Sequence, residues 1–397
     1  MRDRLLWYLS LVFIGWMIWA ETSFQYFEQD LGQALNLDPG AMALVGSAFL
    51  LPYGLAQIPV GWLLDHGRAE RLLLLGGIGA AAMTLAFSQG QSLNDLILSR
   101  AGMGLACAVA FPASGLLARR SLPPQRFALA LGITDSLVGL GAAVAALLPL
   151  LAGPQPWRNV VQLQSLVMAL LVITPLLLLV RSGSATSSSL SPAATTRPSA
   201  ALWHGRGGRQ LLLGILLYAW GCGLMFGLGQ YALVSQLQQW STALQLQVTL
   251  LFSLAITAGM LICGALGQQP SKRAPLLLSG SVLCSFALLV LCPLAAAGSL
   301  QLMVGLLLGL GIGSCVLAFP IAEEGAPAGR TALVVAIVNT FGTITGGVAM
   351  VLSGQLLKLP SAIALPTTLL GYGLWAMVGI PLALWYGRSQ QRAVQLP

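Results

Sequence analysis

The chain has 397 residues, of which 57% are hydrophobic and only 8% charged, and its mean hydropathy is +0.84; soluble domains carry about a quarter charged residues, so water is excluded as its main solvent. The net charge of +8 does not point to nucleic acid, because the Lys and Arg residues are dispersed over short loops between apolar runs and form no single basic face. The six cysteines (Cys107, Cys222, Cys263, Cys284, Cys292, Cys315) lie inside apolar runs without Cys-x-x-Cys spacing, and His66 and His204 have no partners at metal-ligand spacing. With no Ser/His/Asp or His-Glu-x-x-His arrangement either, neither a metal nor catalysis is expected.

In chain order, Met1-Arg-Asp-Arg4 followed by Leu5 to Ala20 has the layout of a signal peptide. The apolar run continues to Phe27 without a small-residue cleavage site, which predicts a first transmembrane helix over 5–27. Charges, Pro and Gly bound further helices over 39–64, 72–89, 95–118, 126–152 and 159–181. Arg181 to Arg209 is rich in Ser, Thr, Pro and Ala and has too little apolar surface to pack, so a linker is expected over 182–209. Six more helices follow over 210–236, 244–267, 274–295, 299–322, 329–357 and 363–386. The expected architecture is an all-α polytopic membrane protein of twelve transmembrane helices in two pseudo-symmetric six-helix bundles, 1–181 and 210–397. With a cytoplasmic N-terminus, every basic residue except Arg100, Arg158 and Lys358 falls on the cytoplasmic side, so both termini are predicted inside, in an inner membrane. Trp7, Trp62, Trp157, Trp240 and Trp385 near helix ends read as an interfacial aromatic belt. The partners expected of such a monomer are the lipid bilayer and a small-molecule substrate.

Three matches at nearly one offset support the division into halves. Cys107-Ala-Val-Ala-Phe-Pro112 matches Cys315-Val-Leu-Ala-Phe-Pro320, Gln25-Tyr26 matches Gln230-Tyr231, and Ala128-Leu-Ala-Leu-Gly-Ile-Thr-Asp135 matches Ala332-Leu-Val-Val-Ala-Ile-Val-Asn339. Parallel halves related about the membrane normal follow, with a substrate path between them near the midplane.

The run Gly61-Trp-Leu-Leu-Asp65-His-Gly67-Arg68-Ala-Glu-Arg71 lies between the second and third predicted helices and resembles the loop motif of the major facilitator superfamily. Arg100-Ala-Gly-Met-Gly104-Leu-Ala106-Cys-Ala108 resembles that family's fourth-helix motif. The resemblance implies a secondary transporter working by alternating access. Its cytoplasmic gate would be built from Gly61, Asp65, Gly67, Arg68 and Arg71, with Asp65 meeting a helix N-terminus and an arginine meeting a carboxylate. The second-half counterpart, Gly264 to Arg273, has Gln268 in place of the acid, so Glu323 and Glu324 are expected to pair with Lys272 or Arg273. The fifth helix lacks the central Pro of the family's drug antiporters, which favours symport or facilitated exchange; a proton gradient is the expected driving force. Tyr53 to Gly61 and Pro156-Trp157-Arg158 are similar to the branch of organic-anion symporters and phthalate-permease-like carriers. A proton-coupled drug or metabolite exporter and a non-transporting membrane sensor or scaffold are the rival readings.

Ionisable residues at membrane depth are costly, so Glu21, Arg100 and Asp135 are the candidates for substrate or proton coupling. Glu21 lies roughly 24 Å along the first helix and Asp135 roughly 14 Å into the fifth, at 1.5 Å per residue. Arg100 is expected to attract an anionic group and to stand within pairing reach of Glu21, while Glu21 or Asp135 takes the proton. A purely structural ion pair is the alternative. Gln25, Gln230, Tyr231 and Asn339 complete the expected set, as uncharged groups able to orient a ligand. Gly223 and Gly227 form a small-xxx-small pair expected to serve helix packing.

Overall fold

The computed structural model describes residues 2–153, 155–182, 202–229, 232–294 and 299–395. Among these, 12 helices are long and apolar enough to cross a membrane. They are α1 (Arg2–Leu35), α2 (Gly40–His66), α3 (Ala69–Gln89), α4 (Leu93–Ser121), α5 (Pro124–Leu151) and α6 (Trp157–Arg181) in the first half. The second half holds α7 (Gly205–Gly227), α8 (Thr242–Leu266), α9 (Pro270–Leu294), α10 (Leu300–Glu323), α11 (Thr331–Leu356) and α12 (Ala362–Gln391). An even count puts both ends of the chain on one face, called here the terminal face. Most of the expected linker lies outside the described residues.

Local sequence sets the joints. Asp38 precedes Pro39 and accepts a hydrogen bond from the Ala41 amide at 2.9 Å, starting the helical segment that opens α2. Ser92 and Asp95 exchange side-chain and backbone bonds in a capping box at the head of α4. At the opposite end of α3, Arg158 donates to the Ser88 carbonyl at 2.5 Å and to the Gly90 carbonyl at 3.2 Å. Those carbonyls have no partner within their own helix, so this arginine, an exception to the charge bias, is a C-terminal cap.

The repeated Cys-x-x-Ala-Phe-Pro blocks mark breaks in two largely buried spans, one in each half. In α4 the regular helix stops at Cys107 and resumes at Ala110; in α10 a 3-10 turn occupies Gly313–Leu317. Pro112 and Pro320 stand in the first turn of the resumed segments, where a missing N–H is tolerated. Both breaks face the centre, and the matched rings Phe111 and Phe319 meet at 5.3 Å between centroids.

The halves touch along two antiparallel seams. In the first, α5 crosses α8 where Gly132 and Gly264 face each other: a Cβ on Gly132 would stand 2.8 Å from the Gly264 Cα. In the second, α2 crosses α11, and a Cβ on Gly61 would stand 2.6 Å from the Ala336 Cβ and 2.9 Å from the Ala332 carbonyl. Gly61, the first residue of the loop motif, lies inside helix, as the expected span 39–64 has it, and serves helix contact. The turn itself is only Gly67 and Arg68. Two of the expected belt residues are also corrected: Trp7 and Trp157 are buried, and the Trp157 ring packs on Phe27 at 6.4 Å and Phe87 at 5.9 Å. Gly223 and Gly227 both lie against α12, on Trp375 and Tyr372. All six cysteines are buried, and none forms a disulfide.

Candidate functional site

Near mid-depth, α5 brings Asp135 to the seam with its side chain fully buried. Its Oδ1 accepts a hydrogen bond from the Tyr218 hydroxyl of α7 at 2.9 Å, so this bond joins the two halves. Its Oδ2 is buried without a hydrogen-bond partner. The Tyr218 ring is wedged by Phe319, 4.5 Å away, and by Gly342. The position equivalent to Asp135 in the second half, Asn339 of α11, also reaches across. Its Nδ2 donates to the Tyr53 hydroxyl at 3.1 Å and to Gln57 Oε1 at 2.7 Å, both on α2. The next residue, Thr340, donates to the Gly54 carbonyl at 2.9 Å. Gln57 is fully buried, and its Nε2 has no partner. Two equivalent positions thus bridge the halves, one with a carboxylate and one with an amide.

Arg100 is 2% exposed, yet no carboxylate stands within ion-pair distance among the described residues. Its guanidinium lies over the rings of Phe24 at 4.7 Å, Phe49 at 5.4 Å and Phe87 at 5.9 Å, and Nη2 makes one long bond of 3.5 Å to the Gly46 carbonyl. Cation–π contact offsets part of the burial cost but leaves donors open, Nε among them. Glu21 and Glu28 interact with Arg100 electrostatically without forming the direct pair expected of Glu21; Glu21 instead accepts from the Thr22 hydroxyl at 3.4 Å. Phe49 stacks on Tyr53 at 5.7 Å, which links the Arg100 pocket to the Asn339 network. Gln25, one helical turn from Glu21, is exposed. Gln230 and Tyr231 lie outside the described residues, so their expected match to Gln25-Tyr26 has no geometry to report.

At the terminal face Asp65 crosses from α2 to α11. Its two oxygens accept the Ala332 and Leu333 amides, each at 3.0 Å, so the carboxylate caps the N-terminus of α11. Beside it His66 Nδ1 contacts the Trp62 carbonyl at 2.7 Å, and its Nε2 stands 3.5 Å from Arg330. The arginines expected in the gate are corrected: Arg68 and Arg71 are exposed and enter no ion pair among the described residues, while Glu70 between them faces Arg2 at 3.5 Å. An arginine–carboxylate pair across the halves is made instead by Arg119 of α4, which meets Glu323 at 2.9 Å. Glu324 remains within its own half. It pairs with Arg273 and accepts from the Tyr386 hydroxyl and from Gln390, each at 2.9 Å. The adjacent glutamates therefore divide, Glu323 to the opposite half and Glu324 to α9 and α12; Lys272 pairs with neither.

Tyr218, Gln57 and Arg119 were not identified as site residues by sequence. Tyr218 and Gln57 carry no charge and sit among apolar neighbours, and Arg119 lies in an ordinary basic helix end; only the crossing geometry distinguishes them. Among the described residues no group of three or more His, Cys, Asp or Glu could hold a metal ion.

Comparison with known proteins gives two matches. The family model of the Major Facilitator Superfamily matches residues 5–350. Over 134 residues the chain is 30% identical to a probable galactarate/D-glucarate transporter of Escherichia coli (strain K12). That stretch is 30% of this chain and 30% of the relative, so well under two thirds of the relative's length is covered.

Proposed function

The chain belongs to the Major Facilitator Superfamily and is a secondary transporter, not an enzyme, and from that premise we propose that it carries a small organic anion across the membrane together with protons. The observation that carries this reading is Arg100: a guanidinium removed from water, held on three phenyl rings and left without a direct carboxylate partner. A buried cation kept unpaired is costly, and an anionic ligand relieves that cost. Tyr53 and Gln57, one and two turns beyond Phe49 on α2, and Asn339 of α11 supply neutral hydrogen-bonding groups for the rest of the ligand. A hydroxylated acid of the kind named for the Escherichia coli relative suits that combination.

Asp135 takes the coupling proton. It is buried at the seam and hydrogen-bonded on one oxygen only, so a proton has an open site on the other. The terminal face is cytoplasmic, since the basic loops gather there, and the membrane is the inner membrane. Asp65 on the α11 N-terminus and Arg119 on Glu323 then latch the cytoplasmic side, and rocking of the halves breaks and remakes them.

Proteoliposomes loaded to give an inward proton gradient test the reading. Uptake of a labelled six-carbon sugar diacid, lost on collapse of the gradient and reduced at least about a hundredfold by Arg100→Gln, is expected. Equal uptake by Arg100→Gln of any acid carried by the parent protein would sink it. Accumulation in inside-out vesicles instead would turn the direction to export.

A further inference from the structure

We infer that Tyr218 is the positioning residue that converts protonation of Asp135 into release of the two halves; this rests on the proton role proposed for Asp135. The argument is geometric. Asp135 belongs to the first half and Tyr218 to the second, and the 2.9 Å bond between them spans the seam near mid-depth. The phenol cannot follow the carboxylate if the halves part. Phe319 packs on one side of its ring, and Gly342 is so close that a Cβ there would collide with the ring. The hydroxyl is therefore fixed in the frame of the second half, and the bond lengthens and breaks when α5 moves away.

The strength of that bond depends on the acid. A phenol donating to an ionised carboxylate makes a bond about twice as strong as one to a neutral acceptor. The other titratable groups facing Asp135 are Cys222 on α7, Cys315 on α10 and Tyr53 on α2. None of these is a cation that would compete with Tyr218 for the carboxylate. Deprotonated Asp135 accordingly holds the seam shut through Tyr218, and the proton loosens it. The equivalent bridge from Asn339 to Tyr53 and Gln57 is neutral at both ends and holds with the same strength at any pH. One bridge of the two is thus proton-sensitive.

The test follows opening of the seam with a thiol reporter. Val335 is fully buried and lies against Gly115 of the opposite half. Maleimide labelling of Val335→Cys is measured at an acidic and an alkaline pH and normalised to the unfolded protein at the same pH, with the parent chain as baseline for the buried native thiols. Labelling about five- to tenfold faster at acidic pH is expected in the reporter protein. Tyr218→Phe should label fast at both pH values, and so should Asp135→Asn, with no further gain in the double variant. A pH dependence retained in Tyr218→Phe overturns the role of Tyr218. If Asp135→Asn retains it too and still takes up solute with the gradient, the proton role of Asp135 itself has failed. Counterflow exchange, which needs no engineered cysteine, gives a second readout: its pH profile should flatten in Tyr218→Phe, and an unchanged profile also overturns the inference.

Discussion

Single residues carry unequal shares of this structure. Asp65 satisfies two amides at the start of α11, groups that helical geometry otherwise leaves unpaired. Removing such a cap costs about 1–2 kcal/mol, and here the loss falls only on the state in which the terminal face is closed. Asp65→Ala is therefore expected to raise maleimide labelling of Val335→Cys about five- to thirtyfold, while Asp65→Asn, which keeps one acceptor, should give a smaller rise. Asn339 makes a different point. Asn339→Ala strands the Tyr53 hydroxyl and Gln57 amide in a buried site and should destabilise the protein by about 1–3 kcal/mol, read as a lower melting temperature in detergent. Asn339→Asp keeps the position polar but places a second carboxylate at the seam; transport with an altered proton-to-solute ratio, measured from reversal potentials, is the expected outcome.

Among the elements, the twelve spans were legible from apolar run length, because a membrane-crossing helix needs about twenty residues and little else. The breaks in α4 and α10 were legible in a weaker sense: the repeated Phe-Pro blocks were visible, but nothing in them said that Phe111 would meet Phe319. Asp65 could be read as a helix-capping acid because the spacing around it is informative. The partner of Glu323 could not, because Arg119 is separated from it by a whole bundle in sequence and a surface-type arginine looks alike whether paired or solvated. The same holds for Gly61, whose role depends on Ala332 and Ala336 of another helix. Gly61→Val should part α2 from α11, since the backbone carbonyl of Ala332 cannot yield as a flexible side chain would. Retained folding with faster Val335→Cys labelling is expected, and unchanged labelling would show that the seam adapts.

For the whole molecule, the described contacts between halves gather toward the terminal face and the middle: Asp65 on α11, Arg119 on Glu323, Gly132 on Gly264, Asn339 on Tyr53 and Asp135 on Tyr218. Charge reversal tests the ion pair among them. Arg119→Glu should depress transport, and Arg119→Glu with Glu323→Arg should recover a large part of it if the pairing across the seam is what matters. The meeting of Phe111 with Phe319 has a consequence of another kind. A side chain lying on a dyad confronts its own counterpart, so whatever stands there must suit itself: phenyl against phenyl does, carboxylate against carboxylate does not. Asp135 and Asn339 are counterparts as well, but each looks onto a different neighbour, and neither had to match the other. A doubled fold can in this way hold one acid instead of two without spoiling its own symmetry at the point where the halves face each other.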